Sequence, residues 1–89
     1  MEKRWVNVFK VLGNINRLRI IKMLQNGKSM TVTKISENLG ISLKATSRHL
    51  IILQNMEVLE NQGKNGFVYY QLNKDDIPEY FKKALKLFC

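Results

Sequence analysis

Thr31-Val32-Thr33-Lys34-Ile35-Ser36-Glu37-Asn38-Leu39-Gly40-Ile41-Ser42-Leu43-Lys44-Ala45-Thr46-Ser47-Arg48-His49-Leu50-Ile51-Ile52-Leu53-Gln54-Asn55-Met56 is the stretch that decides the fold. Thr31 is suited to cap a short helix, Ile35 and Leu39 lie one turn apart within it, and Gly40 is suited to stop it. After the turn Gly40-Ile41-Ser42, Ser42 reads as the cap of a longer helix reaching about Met56. A short helix, a three-residue turn and a second helix form the layout of a helix-turn-helix, here at about residues 31–56. Ile41 can pack between the two helices. At 100° per residue, Thr46, Leu50 and Leu53 share one face of the second helix. Lys44, Arg48 and Asn55 fall on the opposite face, with Ser47 beside them and Ile51 also pointing outward. No acidic residue occurs between Ser42 and Asn55. An ordinary amphipathic surface helix would show the same stripe; the preceding turn favours the motif.

Downstream, 58–62 and 67–72 read as strands. Phe67-Val68-Tyr69-Tyr70 has high β-propensity, and Gly63-Lys64-Asn65-Gly66 between them carries the Asn-Gly hairpin signal. Alternation puts Val68, Tyr70 and Leu72 on one face, Phe67 and Tyr69 on the other. A hairpin at about 58–72 with Lys64 at its tip, following a helix-turn-helix, makes the expected fold a winged helix-turn-helix. Its class is mainly α with a small β-hairpin (α+β). A last helix is expected with Asp75 or Asp76 as its cap, Pro78 in its first turn, and Ile77, Phe81, Ala84 and Phe88 as its apolar stripe. Upstream, Trp5, Val8, Phe9 and Leu12 mark a helix over 3–12 that Gly13 stops. Asn14 can cap the next, over 15–26, which Asn26-Gly27 ends. Ser29 and Met30 read as a short extended piece.

The 89 residues, 45% hydrophobic, contain no linker, repeat or low-complexity segment and are read as one domain, 1–89. So small a core points to self-association as a further source of stability. Lys plus Arg number 15 against 7 Asp plus Glu, a net +8 that points to a polyanionic partner, nucleic acid before membrane. No apolar run approaches the roughly 18 residues of a membrane span, and the N-terminus lacks the pattern of a signal peptide. The single cysteine, Cys89, excludes an internal disulfide and fits a reducing cytoplasm. His49 is the only histidine, so one chain cannot assemble the Cys and His ligands of a zinc site, and no metal or cofactor is expected. Asp75, Asp76 and Glu79 sit where a helix begins, where carboxylates cap free N–H groups. With no nucleophile–base pair and no phosphate-cradling loop, an enzyme is not expected.

Leu12-Gly13-Asn14-Ile15-Asn16-Arg17-Leu18-Arg19-Ile20-Ile21 resembles the second-helix opening of the ArsR-type (arsenic-repressor-like) transcription regulators. Their usual form is Leu-Gly-Asp-Pro-Thr-Arg-Leu-Arg-Ile-Leu. Ser47-Arg48-His49-Leu50 followed by Leu53 is similar to their recognition helix. Val58-Leu59 and Val68-Tyr69-Tyr70-Gln71-Leu72 are similar to their wing strands. The resemblance covers roughly residues 8–73. It implies a homodimer built from the first and last helices, for which Trp5, Phe9, Phe81 and Phe88 are the candidates; covering the chain's own core is their alternative role. The departures are specific. Ser29–Lys34 holds no Cys-x-Cys, the last helix has no His, paired redox cysteines are missing, and Glu57 stands where a Gly usually precedes the first wing strand.

The expected partner is double-stranded DNA, with Ser42, Leu43, Lys44, Ser47, Arg48, His49 and Lys64 as contact residues. Arg48 offers a planar fork matching guanine O6 and N7, or clamps a phosphate. Lys44 can reach a phosphate or a guanine. Ser42 and Ser47 are short donors, with capping the stronger role for Ser42. Leu43 can meet a thymine methyl or pack. His49 reads as a hydrogen-bonded structural residue or a phosphate contact. Lys64 can lie along the minor groove or stay solvated. Arg17 and Arg19 either support backbone contacts or form surface pairs. The reading is a dimeric, sequence-specific regulator, a repressor by preference, on a pseudo-palindromic operator. A winged-helix protein-interaction module is the first alternative. A nonspecific nucleic-acid binder is the second, because 11 Lys against 4 Arg suits phosphate better than bases.

Overall fold

The computed structural model describes residues 2–73 and 77–87. In chain order it contains α1 (Lys3–Leu12), α2 (Ile15–Met23), β1 (Met30–Thr31), α3 (Val32–Leu39), α4 (Leu43–Asn55), β2 (Leu59–Lys64), β3 (Phe67–Leu72) and α5 (Glu79–Leu85). The fold is a winged helix-turn-helix. Local chemistry sets most boundaries. Asn14 Oδ1 accepts from the N–H groups of Asn16 and Arg17, Thr31 Oγ1 from Lys34, and Ser42 Oγ from Ala45. Each cap satisfies donors that the first helical turn leaves unpaired. Gly40 closes α3 in the left-handed region at φ 70°, a conformation that costs glycine little.

α4 ends in a Schellman motif. The Glu57 N–H donates to Gln54 O and the Val58 N–H to Leu53 O, each at 3.0 Å. Val58 and Leu53 are both fully buried, the apolar contact that accompanies this motif. Glu57 holds the left-handed position at φ 61°. The departure noted in the sequence is thus a non-glycine residue where the backbone favours glycine.

Val8, Val11 and Leu12 of α1, Ile20 and Ile21 of α2, Ile35 and Leu39 of α3, and Leu50 and Leu53 of α4 build the core, which Val58, Leu59, Phe81 and Ala84 complete. Buried Thr46 satisfies its hydroxyl by donating to Ser42 O at 2.9 Å. Phe81 corrects the sequence reading. It is 1% exposed within the single chain, so its ring belongs to the core and not to a free face. The stripe on α5 was legible; that α1 already covers it is a tertiary fact.

Other expectations shift in detail. α2 stops at Met23 because Asn26 (φ 65°) and Gly27 (φ 74°) turn the chain through the left-handed region. The extended piece is β1, and it joins the hairpin to make a three-stranded sheet of order β1-β3-β2. Met30 pairs with Tyr70 and Thr31 with Tyr69, antiparallel. The hairpin turn is tighter than the four residues expected. Pairing runs to Lys64↔Phe67, leaving Asn65 (φ 54°) and Gly66 (φ 81°) as a two-residue turn of the type Asn-Gly favours. Pro78 lies just before α5 in extended conformation and its carbonyl accepts from the Lys82 N–H, so it precedes the first turn instead of occupying it. The capping expected of Asp75 or Asp76, and the positions of Phe88 and Cys89, lie outside the described residues.

Candidate nucleic-acid interface

The candidate interface is the outer face of α4 together with the wing formed by β2 and β3. Ser42 fixes the start of α4, and Thr46, Leu50 and Leu53 anchor its inner side. That packing sets the rotation of the helix. Lys44, Arg48, Ile51 and Asn55 are all exposed and follow one another at helical spacing on the outer side. The side chains of Lys44 and Arg48 form no hydrogen bond or ion pair with any other described residue. Leu43, 51% exposed, opens the same end of the helix, so its side chain is not core packing. Ser47 is half-buried beside this face. Ser42 has its oxygen committed to the cap, and only its hydroxyl proton remains for another acceptor.

His49 stands apart from this set. Its Nδ1 lies 3.1 Å from Nη1 of Arg17 on α2. Arginine only donates, so Nδ1 is the acceptor and the ring is neutral. Burial, and then the charges of Arg17 and Arg48, push the His49 pKa below its ordinary value. The structure places His49 in an internal brace, the hydrogen-bonded role the sequence allowed it.

On the wing, Lys64 is exposed and is the last residue of β2, directly opposite Phe67. Phe67 was not among the sequence-derived contact residues. Its ring is 61% exposed, and it borders a groove with Thr31, Thr33 and Lys34 at the start of α3. The available signal was a large aromatic beside an Asn-Gly turn, on the strand face away from Tyr70 and Leu72. Lys34 was missed because only the fold brings α3 beside the wing.

Where α1 meets α5, the Trp5 ring stacks on Phe9 (centroids 5.8 Å, interplanar 27°) and meets Tyr80 of α5 edge-on at 4.9 Å. Phe9 and Val6 remain exposed on α1, as does Leu87 just past α5. Among the described residues, no group of three or more His, Cys, Asp or Glu side chains could hold a metal ion. No helix among them is long and apolar enough to cross a membrane.

The chain and its fold have relatives among known proteins. The profile of the "Bacterial regulatory protein, arsR family" matches residues 14–61. The chain is 40% identical over 67 residues to the transcriptional repressor SdpR of Bacillus subtilis, covering 75% of this chain and 73% of that protein. Its structure is similar to HlyU from Vibrio cholerae, with a TM-score of 0.76 at 27% identity over 100% of this chain and 99% of that one. It is also similar to the homodimeric winged helix-turn-helix DNA-binding domain from Mycobacterium bovis, with a TM-score of 0.75 at 25% identity, covering 93% of this chain and 76% of that one.

Proposed function

The chain belongs to the arsR family of bacterial regulatory proteins, and on that premise we propose that it is a DNA-binding transcription regulator reading a two-fold-symmetric site as a homodimer. The observation that carries this is the pair Lys44 and Arg48. They stand one turn apart on the exposed face of α4, with no acid beside them and the wing alongside. A helix of this kind enters the major groove, where Arg48 meets guanine O6 and N7 and Lys44 a neighbouring phosphate or guanine. Ser47 and Leu43 add short contacts near the helix start. Lys64 supplies a phosphate contact from the wing, and phosphate contacts set affinity and register while base contacts set sequence. The net charge of +8 drives association in the same direction.

Dimerisation through α1 and α5 supplies the two-fold symmetry. Trp5 and Phe9 form an aromatic pair on α1, with Val6 beside them and Leu87 near the end of α5. An apolar face of this kind favours self-association. The similar Mycobacterium bovis domain is itself described as homodimeric. Repression is the reading in line with the relative from Bacillus subtilis. The test is selection of bound duplexes from a random pool, with sedimentation of the complexes. The expected result is an inverted repeat bound by two chains. A pool without consensus would mean a nonspecific binder, and no retained duplex would leave a protein-interaction module.

A further inference from the structure

We propose that Phe67 is a wedge that inserts between two stacked base pairs in the minor groove beside each half-site, unstacking and kinking the DNA there. The proposal rests on the reading of the chain as a DNA-binding regulator and assigns the wing a part in shape recognition.

The geometry begins with where the sheet narrows. β1 covers β3 only at Tyr69 and Tyr70. Beyond that point β3 has β2 as its sole neighbour strand, and the last paired residues are Lys64 and Phe67. The hairpin therefore projects as a two-stranded tip past the three-stranded part of the sheet. Asn65 and Gly66 close it without a bulky side chain, and nothing lies within 4 Å of a Cβ built on Gly63 or Gly66. The ribbon as a whole is wider than a minor groove of about 6 Å, so only its narrow turn end, led by a single side chain, can enter there.

The side chains at this tip are unusual for a solvated turn. Phe67 is 61% exposed and Val68 beside it 48% exposed, whereas Tyr69 and Tyr70, further along the strand, are half-buried. A large apolar ring at a projecting tip has no use for the fold. Its surroundings name the partner. Lys64 lies directly across the strand pair, and Lys34 borders the same groove from α3, with Glu37 as that groove's acid. An apolar protein surface would have to desolvate both ammonium groups. A DNA duplex does not, because its phosphates flank the same groove whose base steps admit an apolar ring. Phenylalanine is among the side chains that open base steps in this way, and the resulting kinks run from about 20° upwards. Pyrimidine–purine steps unstack most readily.

The experiment uses duplexes of the selected site carrying 2-aminopurine at successive positions under the wing, read by fluorescence with the full chain. Unstacking brightens this base. The expected result is a several-fold increase at one step in each half-site, a pyrimidine–purine step at that position in the selected pool, and a bend in a circular-permutation assay. Phe67→Ala should abolish the increase and the bend and weaken binding about tenfold. Its salt dependence should stay unchanged, because no charge is lost. Phe67→Leu should keep part of each effect. Circular dichroism controls for folding, and the exposed position makes both variants fold-neutral. If the full chain binds the site and every 2-aminopurine position stays dark, the wedge is wrong and the DNA-binding reading stands. If Phe67→Ala brightens the base as the parent does, the wedge is equally wrong. If the full chain retains no duplex at all, the DNA-binding reading fails and the wedge with it.

Discussion

The guanidinium of Arg17 bridges three elements: Nη1 donates to His49 Nδ1 on α4 at 3.1 Å, Nη2 donates to Lys10 O at 3.2 Å, and Nε donates to Val11 O. The two carbonyls belong to the last turn of α1, where intrahelical partners run out. One side chain on α2 therefore closes α1 and ties both helices to α4. Arg17→Met keeps the apolar stem and removes all three bonds. It should cost about 1–3 kcal/mol, as expected for hydrogen bonds made by a charged donor. Arg17→Lys should recover little, because a single ammonium cannot reach three acceptors held by a planar fork. Urea denaturation of the three proteins checks the order.

His49 gives this brace a pH dependence. Its pKa is lowered by burial first, then by Arg17 and Arg48, from an ordinary value of 6.5. The unfolded chain then binds the proton more readily than the folded one, so stability rises with pH across the interval between the two values. The contribution is complete above about pH 6.5 and is lost as pH falls through the lower folded value. His49 is the only histidine, so its ring protons can be followed by NMR without assignment. The midpoint should lie below 6.5 in the parent and rise in Arg17→Met. A midpoint at or above the ordinary value in the parent would mean that the ring does not accept from Arg17.

Glu57 occupies the left-handed position that ends α4 at φ 61°. An L-residue there carries about 1–2 kcal/mol of backbone strain, and its carboxylate sits at the end of a helix where negative charge is unfavourable. Glycine relieves both but loses more freedom on folding, by roughly 0.5–1 kcal/mol. Glu57→Gly should therefore gain about 0.5–1 kcal/mol, a rise in Tm of about 2–8 °C. Glu57→Ala should gain less, since it removes the charge and keeps the strain. Thermal melts followed by circular dichroism distinguish the two.

Features set by neighbours in sequence were the legible ones. Asn14, Thr31 and Ser42 cap helices through bonds to residues two or three positions away, and Gly40 and Asn65-Gly66 need only their own backbone preference. The outward placement of Lys44 and Arg48 followed from helical period once the inner stripe was known. What escaped depends on contacts between distant segments. β1 is two residues long and exists because Tyr69 and Tyr70 are there to pair with it. Phe81 shows a stripe whose covering element, α1, is more than sixty positions away. The reach of Arg17 across to His49 spans 32 positions. Phe67 was visible as an aromatic, but its exposure follows from where β1 ends.

Arg48 and Lys64 should fail in different ways when each is changed to Ala. Arg48 stands exposed in mid-helix, on the face that the Thr46–Leu50–Leu53 packing turns outward. There a guanidinium can reach two acceptors of one guanine, and losing it should cost about 1–3 kcal/mol on the best site and relax one base position in each half-site. Lys64 ends β2 beside the two-residue turn and offers a point charge. Its loss should weaken binding to all duplexes about equally. It should also flatten the slope of log affinity against log salt by about one unit per lysine, roughly two for a dimer. Both variants should remain folded, because both side chains are exposed. A salt titration of each variant on the selected site and on a scrambled duplex separates the roles. Equal losses on both duplexes for Arg48→Ala would make Arg48 a phosphate clamp. Sequence would then be read by Lys44, the two serines and the deformability of the DNA under the wing.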